Sequence, residues 1–337
     1  MPIRLMPSRS QRRFLLCVAL AGLMGPGTAA AQINDWEAAE DGGDLEEEAQ
    51  ESNVRLTSVR ERSARRRETG SQFYIDFRYH RQTLATTPGG SDLSLDVFLP
   101  SIGADFLVTE TLMISAEFAV PIALQTGDGI DAQSDARASN VFLGAAYQRT
   151  IDEITFSVGG GVNLPTALLP DDLDLAEALE IGITYGSAQA IRFFRNVGLY
   201  VPETLTILPL RAKLRAHFAR ILMAEGTLDV GILTPIEDTE ARDTITAIEV
   251  TGMFGVRPVP QFSSGLRLVA VGFVGGSPNG RTGEEDRFQS SMELFVRGNF
   301  GAGFVMGTFG LALDEPLGFA FDDNGWWSLG VRVGANI

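Results

Sequence analysis

The chain has 337 residues, with 43 acidic side chains against 27 basic ones, a formal net charge of −16, one cysteine and two histidines. An acidic balance of this size argues against nucleic acid as a partner and against docking on anionic lipid through a basic surface. A single cysteine, Cys17, excludes a disulfide framework and a cysteine metal site.

The N-terminus comes first. Arg4, Arg9, Arg12 and Arg13 precede the apolar run FLLCVALAGLMG, which leads into GPGTAAAQ. A charged start, a short apolar run and an A-x-A site have the form of a secretory signal over 1–31, with Gln32 the expected first exported residue. The run is too short to cross a bilayer as a helix. Arg12 and Arg13 hint at twin-arginine export, but Phe14 follows them directly and ordinary secretion fits better. The residues before Cys17 lack the small side chain a lipidated cysteine needs, so Cys17 is expected to leave with the signal. No later stretch approaches the roughly 18 consecutive apolar residues of a transmembrane helix.

Residues 32–70 read as a charged, mostly disordered periplasmic extension. DWEAAEDGGDLEEEAQE carries acids without a base, RLTSVRERSARRRE is then strongly basic, and neither holds enough large apolar residues to build a core. Pairs such as Glu51/Arg55 and Glu61/Arg65 have the i,i+4 order that supports a loose helix. Entry of this segment into a barrel as a plug is the less favoured reading, because plugs need packing surface.

From Ser71 the texture changes to alternating segments rich in Gly, Phe and Val. Twelve are predicted, over 71–83, 92–108, 111–121, 139–149, 153–164, 203–219, 226–235, 244–257, 263–274, 287–299, 302–314 and 325–337. After every even-numbered segment the connection is short: TE, TID, ILMAEG, PVPQF, GA. After the odd-numbered ones it is long and polar or Gly-rich. The longest, 165–202, contains DDLDLAEALEIG, whose acidic start and Ala/Leu/Glu content predict a short helix. An outer-membrane up-and-down barrel has short periplasmic turns, long outer loops and an even strand number. The expected fold is therefore all-β, a transmembrane antiparallel barrel of about 12 strands over 71–337.

PLRAKLRAHF, at 209–218, fits that barrel. A helix would spread Arg211, Lys213, Arg215 and His217 round its circumference and leave no apolar stripe. A strand puts them on one face and hydrocarbon on the other. A base facing lipid at the midplane costs about 2–4 kcal/mol, so the bases are assigned to the lumen. Strand one sorts the same way, with Asp76, Arg78 and His80 inward and Phe73, Ile75, Phe77 and Tyr79 toward lipid. Strand two sends Asp96 and Asp105 inward on either side of an irregularity at Pro100. Strand three buries Glu117 and exposes Ile114, Ala116, Phe118 and Val120. Asp229, Glu249, Glu293, Arg297 and Arg332 complete the predicted lumen lining. Such charges can pair with one another to avoid isolation or act as a field on passing solute. A barrel of this size has an interior between those of a filled eight-strander and an open porin.

The last strand, WWSLGVRVGANI, alternates Leu329, Val331, Val333, Ala335 and Ile337 up to the carboxyl terminus. In this it resembles Gram-negative outer-membrane β-barrels, although their terminal residue is usually aromatic where this chain has Ile337. The repeated strand and short-turn unit, with VGGGVNLPTA at 158–167, is also similar to outer-membrane transporter barrels associated with aromatic-compound degradation. The resemblance implies an outer-membrane location, with membrane lipid and the barrel-assembly machinery as partners, and passage of a small solute that it does not name. It transfers no functional residue.

Signs of catalysis are few. His80 would be the only candidate of an outer-membrane hydrolase, but GGSPNG misses G-x-S-x-G by one position and no H-E-x-x-H occurs. The sole lysine, Lys213, has no Walker A around it, and GAGFVMG misses G-x-G-x-x-G within a strand pattern, where glycine serves close packing. The loop acids Asp128, Asp131 and Asp135, and Asp171, Asp172 and Asp174, miss the EF-hand spacing. Neither a metal nor a cofactor is expected, and the protein is not expected to be an enzyme. Trp326, Trp327 and Tyr200 suit interface anchors, although buried core tryptophans would read identically. The expected function is passage of small solutes, with the Asp-rich third long connection folding over the mouth as a gate. A non-conducting surface-loop barrel and a hydrolase using His80 are the alternatives.

Overall fold

Period-two alternation makes each segment a ribbon with one greasy and one polar edge, and closing the ribbons into a ring satisfies every backbone group without a free sheet edge. The computed structural model describes residues 70–85, 92–127, 130–170, 175–218, 221–236, 244–275, 287–313 and 326–337. The expected signal and the extension up to residue 69 lie outside the described residues, as do Asp128, Asp171, Asp172 and Asp174.

The strands are β1 (Gln72–Ala85), β2 (Asp92–Leu107), β3 (Leu112–Ala119), β4 (Ile122–Gly127), β5 (Ile130–Ala136), β6 (Val141–Ile151), β7 (Ile154–Leu164), β8 (Thr204–Phe218), β9 (Leu222–Pro235), β10 (Ile245–Val259), β11 (Phe262–Val274), β12 (Phe288–Phe300), β13 (Gly303–Ala312) and β14 (Trp327–Asn336). Between β7 and β8 lie a helix, α1 (Leu175–Ile191), and a 3₁₀ turn at Val197–Tyr200. β3 with β4, and β5 with β6, are halves of two interrupted staves, so the ring is a closed barrel of 12 antiparallel staves. β1 pairs with both β2 and β14, which closes it.

The interruption falls at Pro121, which has no N–H to give the ladder. There the staves stay joined by bonds such as Ser139 N–H to the Ala119 carbonyl (2.9 Å) and Arg137 N–H to the Pro121 carbonyl (3.0 Å). β4 and β5 extend as a hairpin through 122–136, a stretch read from sequence mainly as loop. β9 also starts earlier than expected, at Leu222 rather than 226, so most of ILMAEG is strand and the turn is tighter.

The outer face is hydrocarbon. Phe77, Ile102, Ile154, Leu214, Phe254, Leu294 and Val331 are all exposed, and they occupy outward positions on staves all round the ring. A continuous apolar belt of this kind is a lipid-facing surface rather than a soluble one. No helix among the described residues is long and apolar enough to cross a membrane.

Candidate functional site

The third long connection does not arch over the mouth, as expected from sequence. It enters the barrel. α1 begins with Glu177 in its first turn, where a carboxylate suits the helix dipole, and packs against β1, β2, β4 and β5. Ile181, Tyr185, Ala188 and Ile191 join Leu95, Val97, Leu99 and Phe142 in one apolar cluster inside the ring. The Tyr185 hydroxyl donates to the Ala138 carbonyl at 2.8 Å, and Thr184 donates to Asp135 at 2.8 Å.

Beyond α1 the chain crosses the interior. Phe193, Phe194 and Asn196 all take left-handed backbone, with φ of 53°, 58° and 48°. For an aromatic residue that conformation costs on the order of 1–2 kcal/mol, and packing on two walls holds it. Phe193, fully buried, sits with Ala312 and Trp326. Phe194 packs among Leu233, Ala247, Val269, Val271 and Phe273.

Charges fasten the same segment to separate staves. Arg192 Nη1 lies 2.7 Å from Glu117 Oε1 on β3, and Arg195 Nη2 lies 3.0 Å from Glu293 Oε2 on β12. The backbone N–H of Asn196 donates to Glu249 Oε2 on β10 at 3.1 Å. Asn140, fully buried before β6, donates from Nδ2 to the carbonyls of Gly198 (2.8 Å) and Val201 (2.7 Å), and its Oδ1 accepts from Ala167 N–H at 3.0 Å.

Glu293 is the most crowded carboxylate. Arg78 Nη1 reaches it at 2.9 Å, Arg195 at 3.0 Å, and Arg267 also bonds to it. Asp76 accepts from Arg332 Nη2 at 2.8 Å and has Arg78 Nε at 3.6 Å. Arginines outnumber carboxylates in this knot. Burial, with Arg78, Arg267 and Arg192 beside it, holds Arg195 down to about 10 against the pull of Glu293. For Arg192 burial works the other way from its partners, and Glu117, Tyr200 and Asp76 keep it charged well above the ordinary arginine range.

Further along the interior, β8 presents Arg211, Lys213 and Arg215 to β9. Arg211 Nε lies 3.2 Å from Asp229, Lys213 Nζ 3.0 Å from Glu225, and Arg215 Nη2 2.6 Å from Glu225. The side chain of Lys213 is 42% exposed and that of Arg211 36%, so this part of the interior meets solvent. The pairing of β8 with β9 shifts between Ile207 and Leu210, and its pairing with β7 shifts between Leu208 and Arg211, a bulge around Pro209 that puts Leu208 on the inner face above Arg211.

The remaining assigned residues are placed as follows. Asp105 accepts from Gln72 and from Ser115, each at 2.6 Å. Arg297 lies over the Phe304 ring at 4.0 Å and donates to Asn299 at 3.0 Å. His217 shares the inward face of β8, and its backbone N–H bonds to the Glu153 carbonyl at 3.1 Å. His80 is fully buried, stacked on Trp326 at 3.7 Å between ring centroids, with Trp327 at 5.2 Å; its ring neighbours are indoles rather than a serine.

Three expectations are corrected. Asp96 faces outward, not inward: the β1–β2 register runs unbroken through Pro100, so residues an odd number apart, such as 96 and 105, take opposite faces. Asp96 instead accepts from the Tyr79 hydroxyl at 2.7 Å, with Arg81 at 3.7 Å. Trp326 and Tyr200 are no interface anchors, since both are buried inside the ring, whereas Trp327 packs edge-on against Tyr79. Sequence reasoning missed Asn140, Arg192, Arg195 and Asn196, which carry no local signal of their destination. It also missed Glu225, which reads in sequence as part of the turn ILMAEG. Among the described residues no group of three or more His, Cys, Asp or Glu side chains could share a metal ion.

No family model matches the chain, and no curated protein matches it. Solved structures do match in fold. The COG4313 outer membrane channel from Pseudomonas putida F1 superposes with a TM-score of 0.51 and 12% identity, over 79% of this chain and 95% of that one. The KdgM porin gives 0.38 and 9%, over 78% and 99%, and a Pseudomonas aeruginosa FadL homologue gives 0.36 and 11%, over 79% and 90%. The chain thus has the fold of Gram-negative outer-membrane β-barrels.

Proposed function

We propose that the protein is an outer-membrane channel for small solutes whose lumen is closed by its own third long connection and opens when the crossing segment 192–200 lets go of the wall. The observation that carries this reading is the pair of bonds Arg192–Glu117 and Arg195–Glu293, which fasten one connection to staves on β3 and β12. A contact between charges can be released by an ion that competes for one of them. The solvated bases of β8 lie beyond it, paired with Asp229 and Glu225, and give the path a charged lining that can act on a passing solute. The apolar outer belt and the fold it shares with outer-membrane channels support the location.

The test is single-channel conductance of the refolded protein in a planar bilayer, with heat-modifiable migration as the check on folding. Wild type should open rarely, and Glu117→Gln combined with Glu293→Gln should open far more often. Equal opening in both, or silence in both, would overturn closure by this segment.

A further inference from the structure

Four consecutive residues of the crossing segment, Arg192, Phe193, Phe194 and Arg195, each occupy a separate seat on the inner wall. The two guanidinium groups meet carboxylates, Glu117 on β3 at 2.7 Å and Glu293 on β12 at 3.0 Å. The Phe193 ring lies over Gly310 of β13, where a Cβ would overlap it, and Gly310 is the direct cross-strand partner of Glu293. Trp326 and Ala312 complete that slot. Phe194 enters a pocket formed by β9, β10 and β11, where it meets Phe273 edge-on at 6.0 Å between ring centroids. The wall therefore carries two acid seats and two aromatic ones.

The occupant is strained and the wall depends on it. Phe193 and Phe194 both hold left-handed backbone to reach their seats, an unfavourable conformation for side chains of this size. Among the described residues Arg192 is the one ion-pair partner of Glu117, whereas Glu293 keeps Arg78 and Arg267 when Arg195 leaves. A largely buried carboxylate without its cation is costly, so the Glu117 seat needs another cation once the segment moves out. An anion in its place would face Glu117, Glu249 and Glu293. A metal ion would leave both aromatic seats to water. A neutral apolar molecule would leave Glu117 unmet, which a site with buried polar groups penalises.

We propose that the crossing segment is an internal pseudoligand, and that the seats it fills form a binding site for a short peptide carrying arginine beside aromatic side chains. Such a peptide binds the released state, with a guanidinium at Glu117 and its rings in the slot over Gly310 and the pocket around Phe273. It reaches those seats without the left-handed strain, and by occupying them it shifts the population toward the released state. This rests on the channel reading and deepens it by naming the class of solute that opens the path.

The test uses the full folded chain in detergent micelles and the fluorescently labelled peptide amide Arg-Phe-Phe-Arg, read by anisotropy against empty micelles. Glu-Phe-Phe-Glu and Arg-Ala-Ala-Arg are the controls. Arg-Phe-Phe-Arg should bind saturably, at least about tenfold more tightly than either control, and should speed hydrogen exchange at the amides of 193–200. Loosening the native occupant should tighten the peptide, because apparent affinity scales with the fraction of protein whose seats are free. Arg192→Gln with Arg195→Gln should therefore raise the affinity about tenfold. Gly198→Ala, which disturbs the segment from outside the four seats, should raise it several-fold and decides the matter if the double variant does not fold. Either control binding equally well, unchanged exchange at 193–200 with peptide bound, or affinity that fails to rise in the folded variants would overturn the proposal. Conduction separates the two readings. Peptide that displaces the segment in a protein that never conducts keeps the site and loses the channel; conduction without peptide binding loses the site alone.

Discussion

Arg192 and Glu117 stand 75 residues apart in the chain and 2.7 Å apart in space, with side chains only 9% and 11% exposed. One belongs to a connection and the other to the barrel wall, so the bond fixes a loop inside a ring of strands. Removing one partner strands the other charge in a low-dielectric interior, which costs about 3–5 kcal/mol, whereas replacing both with hydrocarbon is often near neutral. Glu117→Gln is therefore expected to destabilise the folded barrel clearly, and Glu117→Leu with Arg192→Leu to recover most of the loss. Urea unfolding in micelles, arranged as a double-mutant cycle, measures the difference.

Asn140 performs the same task without charge. Its amide meets the carbonyls of Gly198 and Val201 and one N–H, that of Ala167, at the start of the connection. Asn140→Leu would keep the bulk and orphan all three, at about 1–3 kcal/mol for each buried group that water does not reach. Hydrogen exchange should show faster exchange at Ala167 and across 197–204, with the amides of β10 to β13 unchanged.

Gly198 is where the segment presses hardest on the wall. A Cβ there would overlap the Thr206 hydroxyl and crowd Asn163 Nδ2 at 2.8 Å. Gly198→Ala should cost roughly 1–3 kcal/mol by overpacking and raise the opening rate in the bilayer assay. An alanine variant as stable and as closed as wild type would show that the segment has slack.

Tyrosine ionisation gives a prediction about pH. Burial raises the hydroxyls of Tyr185 and Tyr200 above the ordinary tyrosine value, with Glu117 adding to the effect at Tyr200. The folded state therefore keeps protons that the unfolded chain gives up once the pH passes about 10, and the stability these groups contribute falls as pH rises beyond that point. Absorbance titration of the folded protein should find both hydroxyls still protonated at roughly pH 11. Tyr200→Phe should flatten the alkaline loss of stability.

The β8 bases should behave differently. Lys213 and Arg211 are more than a third exposed, so their pairs with Glu225 and Asp229 are solvent-screened and worth about 1 kcal/mol or less each. Arg211→Ser, Lys213→Ser and Arg215→Ser together should move ion selectivity toward cations, read as a reversal-potential shift in a salt gradient, at some cost in stability because Glu225, only 10% exposed, loses both its cations. A large loss of stability with unchanged selectivity would make these residues struts rather than a field.

The twelve segments and the alternating lengths of their connections were legible because a strand's alternation and a turn's length are both written within about ten residues. That local reading is also why Arg211, Lys213 and Arg215 could be put on one face. It failed wherever a single register decision mattered. Pro100 looked like a break and is not one, so Asp96 landed on the wrong face. Pro209, which does mark a bulge, gave no sign that Leu208 would join the inner row.

The sequence by itself determined that the chain is a barrel with hydrocarbon outside and charge inside, since period-two amphipathicity leaves few other solutions. Only the tertiary structure decided that residues 175–200 fill the interior, that Phe193 and Phe194 accept left-handed backbone to do so, and that Arg192, Arg195 and Asn196 find Glu117, Glu293 and Glu249. Those contacts join residues tens of positions apart, and whether a loop stays outside or enters depends on the size and lining of a cavity that exists only once the ring has closed.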